Sequence, residues 1–254
     1  MIRAVLFDLD GTLVQSERLK ANSYAQAVQQ VLGPAEPDLR AIDAYKEIVG
    51  SAREVASRHI MERLDIEDSL RPLMSSHNAT EHAQVLTDLR MQLYNDLVAD
   101  PEVLRSHQWP HNISLLRMSR EQGCATGLAT MSTRSEALRV LETLEIASLF
   151  DVVLGREDVQ NAKPDPEIYL KAAALLNTPP GECMVIEDSP AGVQAGLSAG
   201  MNVIAVATPF TECGLMGAPG IDPRWIVHDP ETLMLTVRKR IEEHQRSEHP
   251  TEET

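Results

Sequence analysis

The sequence predicts an α/β fold: a doubly wound parallel sheet with a small all-helical domain inserted after its first strand. Three observations predict it. The apolar run Ile2 to Phe7, with β-branched and aromatic members, ends abruptly in Asp8-Leu9-Asp10-Gly11. Between residues 17 and 100 apolar side chains recur at helical spacing, and no segment reads as a strand. From residue 125 short apolar runs alternate with helical stretches, the pattern of a Rossmann-like core with helices on both faces of the sheet.

Taken in order, the first strand ends at Phe7, and Gly11 allows the turn after it. Ala21, Tyr24, Ala25, Val28, Val31 and Leu32 form a helical face that Gly33-Pro34 ends. Tyr45, Ile48 and Val49 make another. Ser51-Ala52-Arg53-Glu54 reads as a capping box for a helix that buries Ala52, Val55, Ala56, His59 and Ile60. A further amphipathic stretch carries Leu86, Leu89, Leu93 and Leu97. Residues 101–111 read as a linker or a short helix. Asn112 then suits the N-cap of a helix that Gly123 stops.

Strands follow at 125–130, 150–154, 183–187 and 202–207, with a short edge strand at 225–227. Helices fall at 134–144, 166–176, 191–199 and 230–242, and the polar end, 244–254, reads as a disordered tail. The expected division is a discontinuous core, 1–16 with 101–243, and a helical insert, 17–100.

The totals narrow the function. The 254 residues carry a formal net charge of −15, which argues against an electrostatic nucleic-acid footprint. Three cysteines, Cys124, Cys183 and Cys213, are too few for a disulfide framework, and a reducing cytoplasm fits them. The first apolar run is too short for a signal peptide, and no stretch approaches the roughly 18 residues a membrane span needs. A monomer is the default expectation.

The chemically suggestive residues fall at strand ends. Asp8 and Asp10 follow the first strand, and Thr130 ends the second. Lys163 lies in the loop after the third, and Glu187 and Asp188 end the fourth. Parallel strands bring these carboxyl ends to one edge, where open α/β sheets bind ligands. Paired carboxylates there call for a divalent cation. Each residue has a plainer reading. Asp8 and Asp10 suit an Asx turn, Thr130 or Ser132 a helix cap, Lys163 a solvated loop, and Glu187-Asp188 a cap for the next helix.

The motifs Phe7-Asp8-Leu9-Asp10-Gly11-Thr12-Leu13, Gly127-Leu128-Ala129-Thr130, Ala162-Lys163-Pro164-Asp165-Pro166 and Val185-Ile186-Glu187-Asp188-Ser189-Pro190 occur in that order. Together they resemble the four motifs of the haloacid dehalogenase-like hydrolase superfamily. The insert resembles the cap domain of the branch holding phosphoglycolate phosphatases, sugar-phosphate phosphatases and β-phosphoglucomutases. The resemblance implies a Mg²⁺-dependent phosphatase of a small phosphomonoester. Asp8 is then the nucleophile that becomes an aspartyl-phosphate, and Asp10 the general acid and base.

By the same resemblance, Mg²⁺ sits between Asp8, the main-chain carbonyl of Asp10 and Asp188, with Glu187 as a further candidate ligand. Thr130, the Met131 amide at the following helix start, the Gly11 turn and Lys163 serve the phosphoryl group. Arg53 and Lys20 are the substrate-facing candidates of the cap, each set against a solvated or structural reading. Lys20 stands where the related mutases carry a histidine, and the insert is poor in lysine, which lowers a β-phosphoglucomutase-type reading. A dehalogenase would lack Asp10. A catalytically inactive binding protein on the same fold is the remaining alternative.

Overall fold

A computed structural model describes residues 1–33, 36–49, 51 and 53–248. The chain divides into two compact units, residues 1–15 with 107–254 and residues 16–106. The first begins with strand β1 (Ala4–Phe7), buried at every position. It lacks in/out alternation because helices cover both faces of a parallel sheet.

The second unit is helical: α1 (Ser16–Leu32), α2 (Arg40–Lys46), α3 (Arg53–Leu64), α4 (Glu67–Leu70), α5 (His82–Leu97) and α6 (Pro101–Ser106). Helix α1 packs against α5 and α2 and buries Ala21, Tyr24, Ala25 and Val28. The Tyr24 and Tyr45 rings meet at 5.3 Å.

The predicted faces hold only in part: Leu32 is exposed at the end of α1, and Ile48 and Val49 fall past α2, which ends at Lys46. Helix α3 buries Ala56, Ser57, Ile60 and Met61, while Val55 is exposed. Helix α5 buries Ala83, Val85, Leu86 and Arg90, while Leu89, Leu93 and Leu97 are half-buried. Its stripe is rotated because the Arg90 guanidinium stacks on two rings, 5.2 Å from Tyr24 and 4.9 Å from Tyr94. Of the proposed turn and capping box, Pro34 and Ala52 lie outside the described residues.

The first unit continues with α7 (Pro110–Glu121), β2 (Ala125–Ala129), α8 (Arg134–Thr143), β3 (Val152–Leu154), α9 (Glu167–Leu175), β4 (Cys183–Glu187), α10 (Pro190–Ser198), β5 (Asn202–Val206), α11 (Glu212–Met216), β6 (Ile226–Val227) and α12 (Leu233–Glu248). The six strands are parallel, in the order β3-β2-β1-β4-β5-β6. This is the doubly wound arrangement expected from the alternation. It reverses direction between β1 and β4, and an open α/β sheet binds ligands at such a reversal.

Register makes the strand ends flush, with Phe7 opposite both Leu128 and Ile186. Leu6, Ala129, Val185, Val203 and Ala205 lie in the core with Tyr169 and Ile168 of α9.

Two further corrections concern helix ends. Asn112 is not an N-cap: α7 starts two residues earlier on Pro110, with Trp109 as its N-cap. The stretch from His244 does not begin a tail, because α12 continues to Glu248, and residues 249–254 lie outside the described residues. Among the described residues no helix is long and apolar enough to cross a membrane.

Candidate active site

Strand β1 delivers Asp8, whose amide donates to the Ile186 carbonyl of β4 at 3.0 Å. The chain then turns sharply, with Gly11 at φ +83°. Only glycine serves here, because a Cβ would lie 2.1 Å from Asp188 Oδ2. Asn112, buried, donates its side-chain amide to the Thr12 carbonyl at 2.5 Å and ties α7 to this turn.

Lys163 reaches the end of β1 from its loop and is almost wholly buried. Its ammonium donates to Asp8 Oδ1 at 2.7 Å, Glu187 Oε1 at 2.7 Å and the Ala129 carbonyl at 2.9 Å. It also lies 4.8 Å from the centre of the Tyr169 ring.

Glu187 has both oxygens engaged. Oε1 accepts from Lys163 and from the Tyr169 hydroxyl at 3.1 Å. Oε2 accepts from the Ser189 amide at 2.8 Å and its hydroxyl at 3.0 Å. Four donors match the roughly four lone-pair directions of a carboxylate. Helix α10 is capped by Ser189, whose hydroxyl accepts from the Gly192 amide. Glu187 therefore does not cap that helix; it meets Ser189 from the strand side.

Burial above all pushes the Asp8 carboxyl up, to about 7; Lys163 pulls it down, and Glu187 and Asp10 raise it further. Burial pulls the Lys163 ammonium down, but Asp8, Glu187 and Tyr169 outweigh it, and the group stays well above its usual range. Burial, followed by Glu187, holds the Tyr169 hydroxyl well above its usual range, so it is a donor.

Asp8, Glu187 and Asp188 offer carboxylate oxygens within 4.8 Å of one another, all buried. Three carboxylates against one ammonium leave an excess of negative charge in a desolvated place, and hard oxygen donors suit a divalent cation of the magnesium type. The donor set fits such an ion. Asp188 also accepts from the Thr12 hydroxyl at 3.3 Å. With all four Glu187 directions engaged by protein donors, Asp8 and Asp188 are the better placed ligands.

On the other side of β1, Thr130 is buried, and its hydroxyl accepts from the Ser132 amide at 3.1 Å. Ser132 donates its hydroxyl to Asp10 Oδ2 at 2.5 Å. Helix α8 begins only at Arg134, capped by Thr133 and Glu136 in a capping box. The Met131 amide is therefore in the preceding loop, not at the helix start.

Lys20 and Arg53 belong to the helical unit. Lys20 pairs with Glu17 at 3.0 Å, and Glu17 also accepts from Tyr45 at 2.5 Å. Arg53 opens α3, and its carbonyl accepts from the Tyr24 hydroxyl at 3.4 Å.

Sequence reasoning missed three residues: Tyr169, Asn112 in its buried role, and Ser132 as a partner of Asp10. Only Tyr169 left a signal. It stands among Ile168, Ala172 and Ala173 on the buried face of α9, and a buried tyrosine needs a partner for its hydroxyl.

Comparisons agree with this geometry. The family model described as haloacid dehalogenase-like hydrolase matches residues 2–200. A phosphorylated carbohydrates phosphatase of Thermotoga maritima is 30% identical over 80% of this chain and 84% of its own length. A phosphoglycolate phosphatase of Salmonella typhimurium is 31% identical over 78% of this chain and 79% of its own. The crystal structure of a β-phosphoglucomutase from Clostridium difficile superposes with a TM-score of 0.70 at 24% identity, covering 96% of this chain and 99% of that one, a likeness of fold. With its motif residues on the strand ends of a doubly wound sheet, and a family match over most of its length, the chain belongs to the haloacid dehalogenase-like hydrolases.

Proposed function

We propose that this protein is a phosphatase of a small phosphomonoester, a sugar phosphate or a phosphoglycolate-like molecule, acting through an aspartyl-phosphate on Asp8. The observation that carries the reading is the buried Asp8–Lys163–Glu187 contact at the β1/β4 reversal, flanked by Asp188 and Asp10. A carboxylate buried beside one ammonium is oriented and barely hydrated, which suits a nucleophile. Relatives named as phosphatases, 30% and 31% identical, support the substrate class.

In the first half-reaction an Asp8 oxygen bonds to phosphorus as the bond to the leaving oxygen breaks. The electron pair goes to that oxygen, which takes a proton from Asp10. In the second, water attacks phosphorus, its proton passes to Asp10, and the Asp8–phosphorus bond breaks to release phosphate. Lys163 holds Asp8 in line and opposes the growing charge. The Thr130 hydroxyl, the Met131 amide and the Gly11 turn are the proposed contacts for the phosphoryl oxygens.

Asp8, Asp188 and the Asp10 carbonyl would hold Mg²⁺, with Glu187 as a neighbouring carboxylate. When bound, the ion would neutralise charge on the nucleophile and phosphoryl group and align them. Lys20 and Arg53 are proposed to select the substrate.

The test is phosphate release over a panel of sugar phosphates, phosphoglycolate and nucleotides, with Mg²⁺ or EDTA. Asp8→Asn and Asp10→Asn are assayed beside the unaltered protein. The expected result is Mg²⁺-dependent release that falls by at least about a hundredfold in both variants. Release that survives in EDTA or in Asp8→Asn overturns the mechanism. Interconversion of β-glucose 1-phosphate and glucose 6-phosphate without release moves the assignment to a mutase.

A further inference from the structure

We propose that Ser132 is a positioning residue for Asp10, fixing the plane of the carboxylate that gives and takes the proton; this rests on the phosphatase reading above. The Ser132 hydroxyl donates to Asp10 Oδ2 at 2.5 Å across 122 residues of sequence. That separation is at the short end for a hydroxyl donating to a carboxylate oxygen.

The hydroxyl has no helix to serve, because Thr133 and Glu136 complete the cap of α8. The Ser132 backbone is held at both ends. Its amide donates to Thr130 Oγ1 at 3.1 Å, and its carbonyl accepts from the Arg156 amide at 2.9 Å. The backbone of Asp10 is held as well. Gly11 donates its amide to the Val14 carbonyl at 2.8 Å, and Asp10 and Val14 form an isolated bridge.

With both backbones set, the terminal torsion of the aspartate is what the hydroxyl bears on. That torsion is broad in aspartate, whereas a working acid tolerates only about 10–20° of misorientation. A hydroxyl on one carboxylate oxygen narrows it. Ser132 touches neither phosphorus nor the leaving oxygen. It acts through Asp10, so its effect must follow how much the reaction needs Asp10's proton.

That dependence gives the test. In the first half-reaction an alkoxide leaving group must receive a proton from Asp10, whereas p-nitrophenolate leaves without one. The constant kcat/KM reports this first step for both substrates. For Ser132→Ala the expected fall in kcat/KM is about ten- to a hundredfold on the best sugar phosphate. On p-nitrophenyl phosphate it stays within about threefold. Ser132→Thr, which keeps the hydroxyl, restores most of the sugar-phosphate value. Adding Ser132→Ala to Asp10→Asn costs no more than about a further twofold on the sugar phosphate.

Equal losses on the two substrates, no loss on either, or a full additional loss in the Asp10→Asn background would each overturn the proposal. If Ser132→Ala does not fold, Ser132→Gly is read by the same criteria. An unaltered protein that hydrolyses neither substrate overturns the phosphatase reading, and this proposal with it. An active unaltered protein whose Ser132 variants ignore the leaving group overturns this proposal alone.

Discussion

Asp8 is held at a cost to the fold. Burial raises its carboxyl from the usual 3.8 to about 7, so between those values the folded protein keeps a proton that the unfolded chain has lost. The folded state then binds more protons, and stability must fall as pH rises through that window. Asn at position 8 cannot ionise and escapes the loss. In EDTA, the melting temperature of Asp8→Asn relative to the unaltered protein is expected to climb from pH 5 to pH 8 by several degrees. Melting curves at the two pH values check this, and a constant difference would mean that Lys163 already compensates Asp8 in full. At this scale the sequence was only partly legible. Asp8, Glu187 and Asp188 announced themselves by type and by place at strand ends, and Lys163 by its loop after the third strand. Ser132 and Asn112 did not, because their partners, Asp10 and the Thr12 carbonyl, lie 122 and 100 residues away.

At the scale of elements, α10 shows local preference overruled by packing. Alanine exceeds glycine in helix propensity by about 1 kcal/mol, so Gly192→Ala should stabilise an isolated α10. In the protein a Cβ at 192 would lie 1.6 Å from Glu187 Oε1, and Glu187 holds Lys163 and Tyr169. The expected outcome is reversed: a loss of about 1–3 kcal/mol by urea denaturation, with at least a tenfold loss of kcat/KM. A stabilised, active variant would show that α10 can slide away from β4. Most elements were well marked in the sequence, since strand and helix periods are local, but the short α4 and α11 were not. Element ends were less well marked. Helix α7 begins on Pro110 and α12 runs on to Glu248, because a proline first turn and tertiary packing move ends without changing the apolar period. The buried stripe of α5 was misplaced for a related reason: Arg90 enters it through Tyr24 and Tyr94, not by hydrophobicity.

For the molecule as a whole, the surplus of buried carboxylates predicts that a divalent cation stabilises the fold. At a hundredfold excess over its Kd, a ligand that binds only the folded state adds about 2.7 kcal/mol. Mg²⁺ is expected to raise the melting temperature by several degrees over an equal ionic strength of NaCl, and Asp188→Asn to remove the rise. A rise that persists in Asp188→Asn would place the cation elsewhere on a chain of net charge −15. The sequence by itself determined the α/β class, the helical insert and the residue types at the strand ends, because periodicity and turn chemistry are written within a few neighbouring residues. Only the tertiary structure decided that β1 lies between β2 and β4, that Gly11 packs on Asp188, and that Glu187 faces Lys163 and Tyr169 while Ser132 faces Asp10. Those choices depend on how distant segments pack into one sheet and on which donor then reaches which oxygen, and no local pattern encodes either.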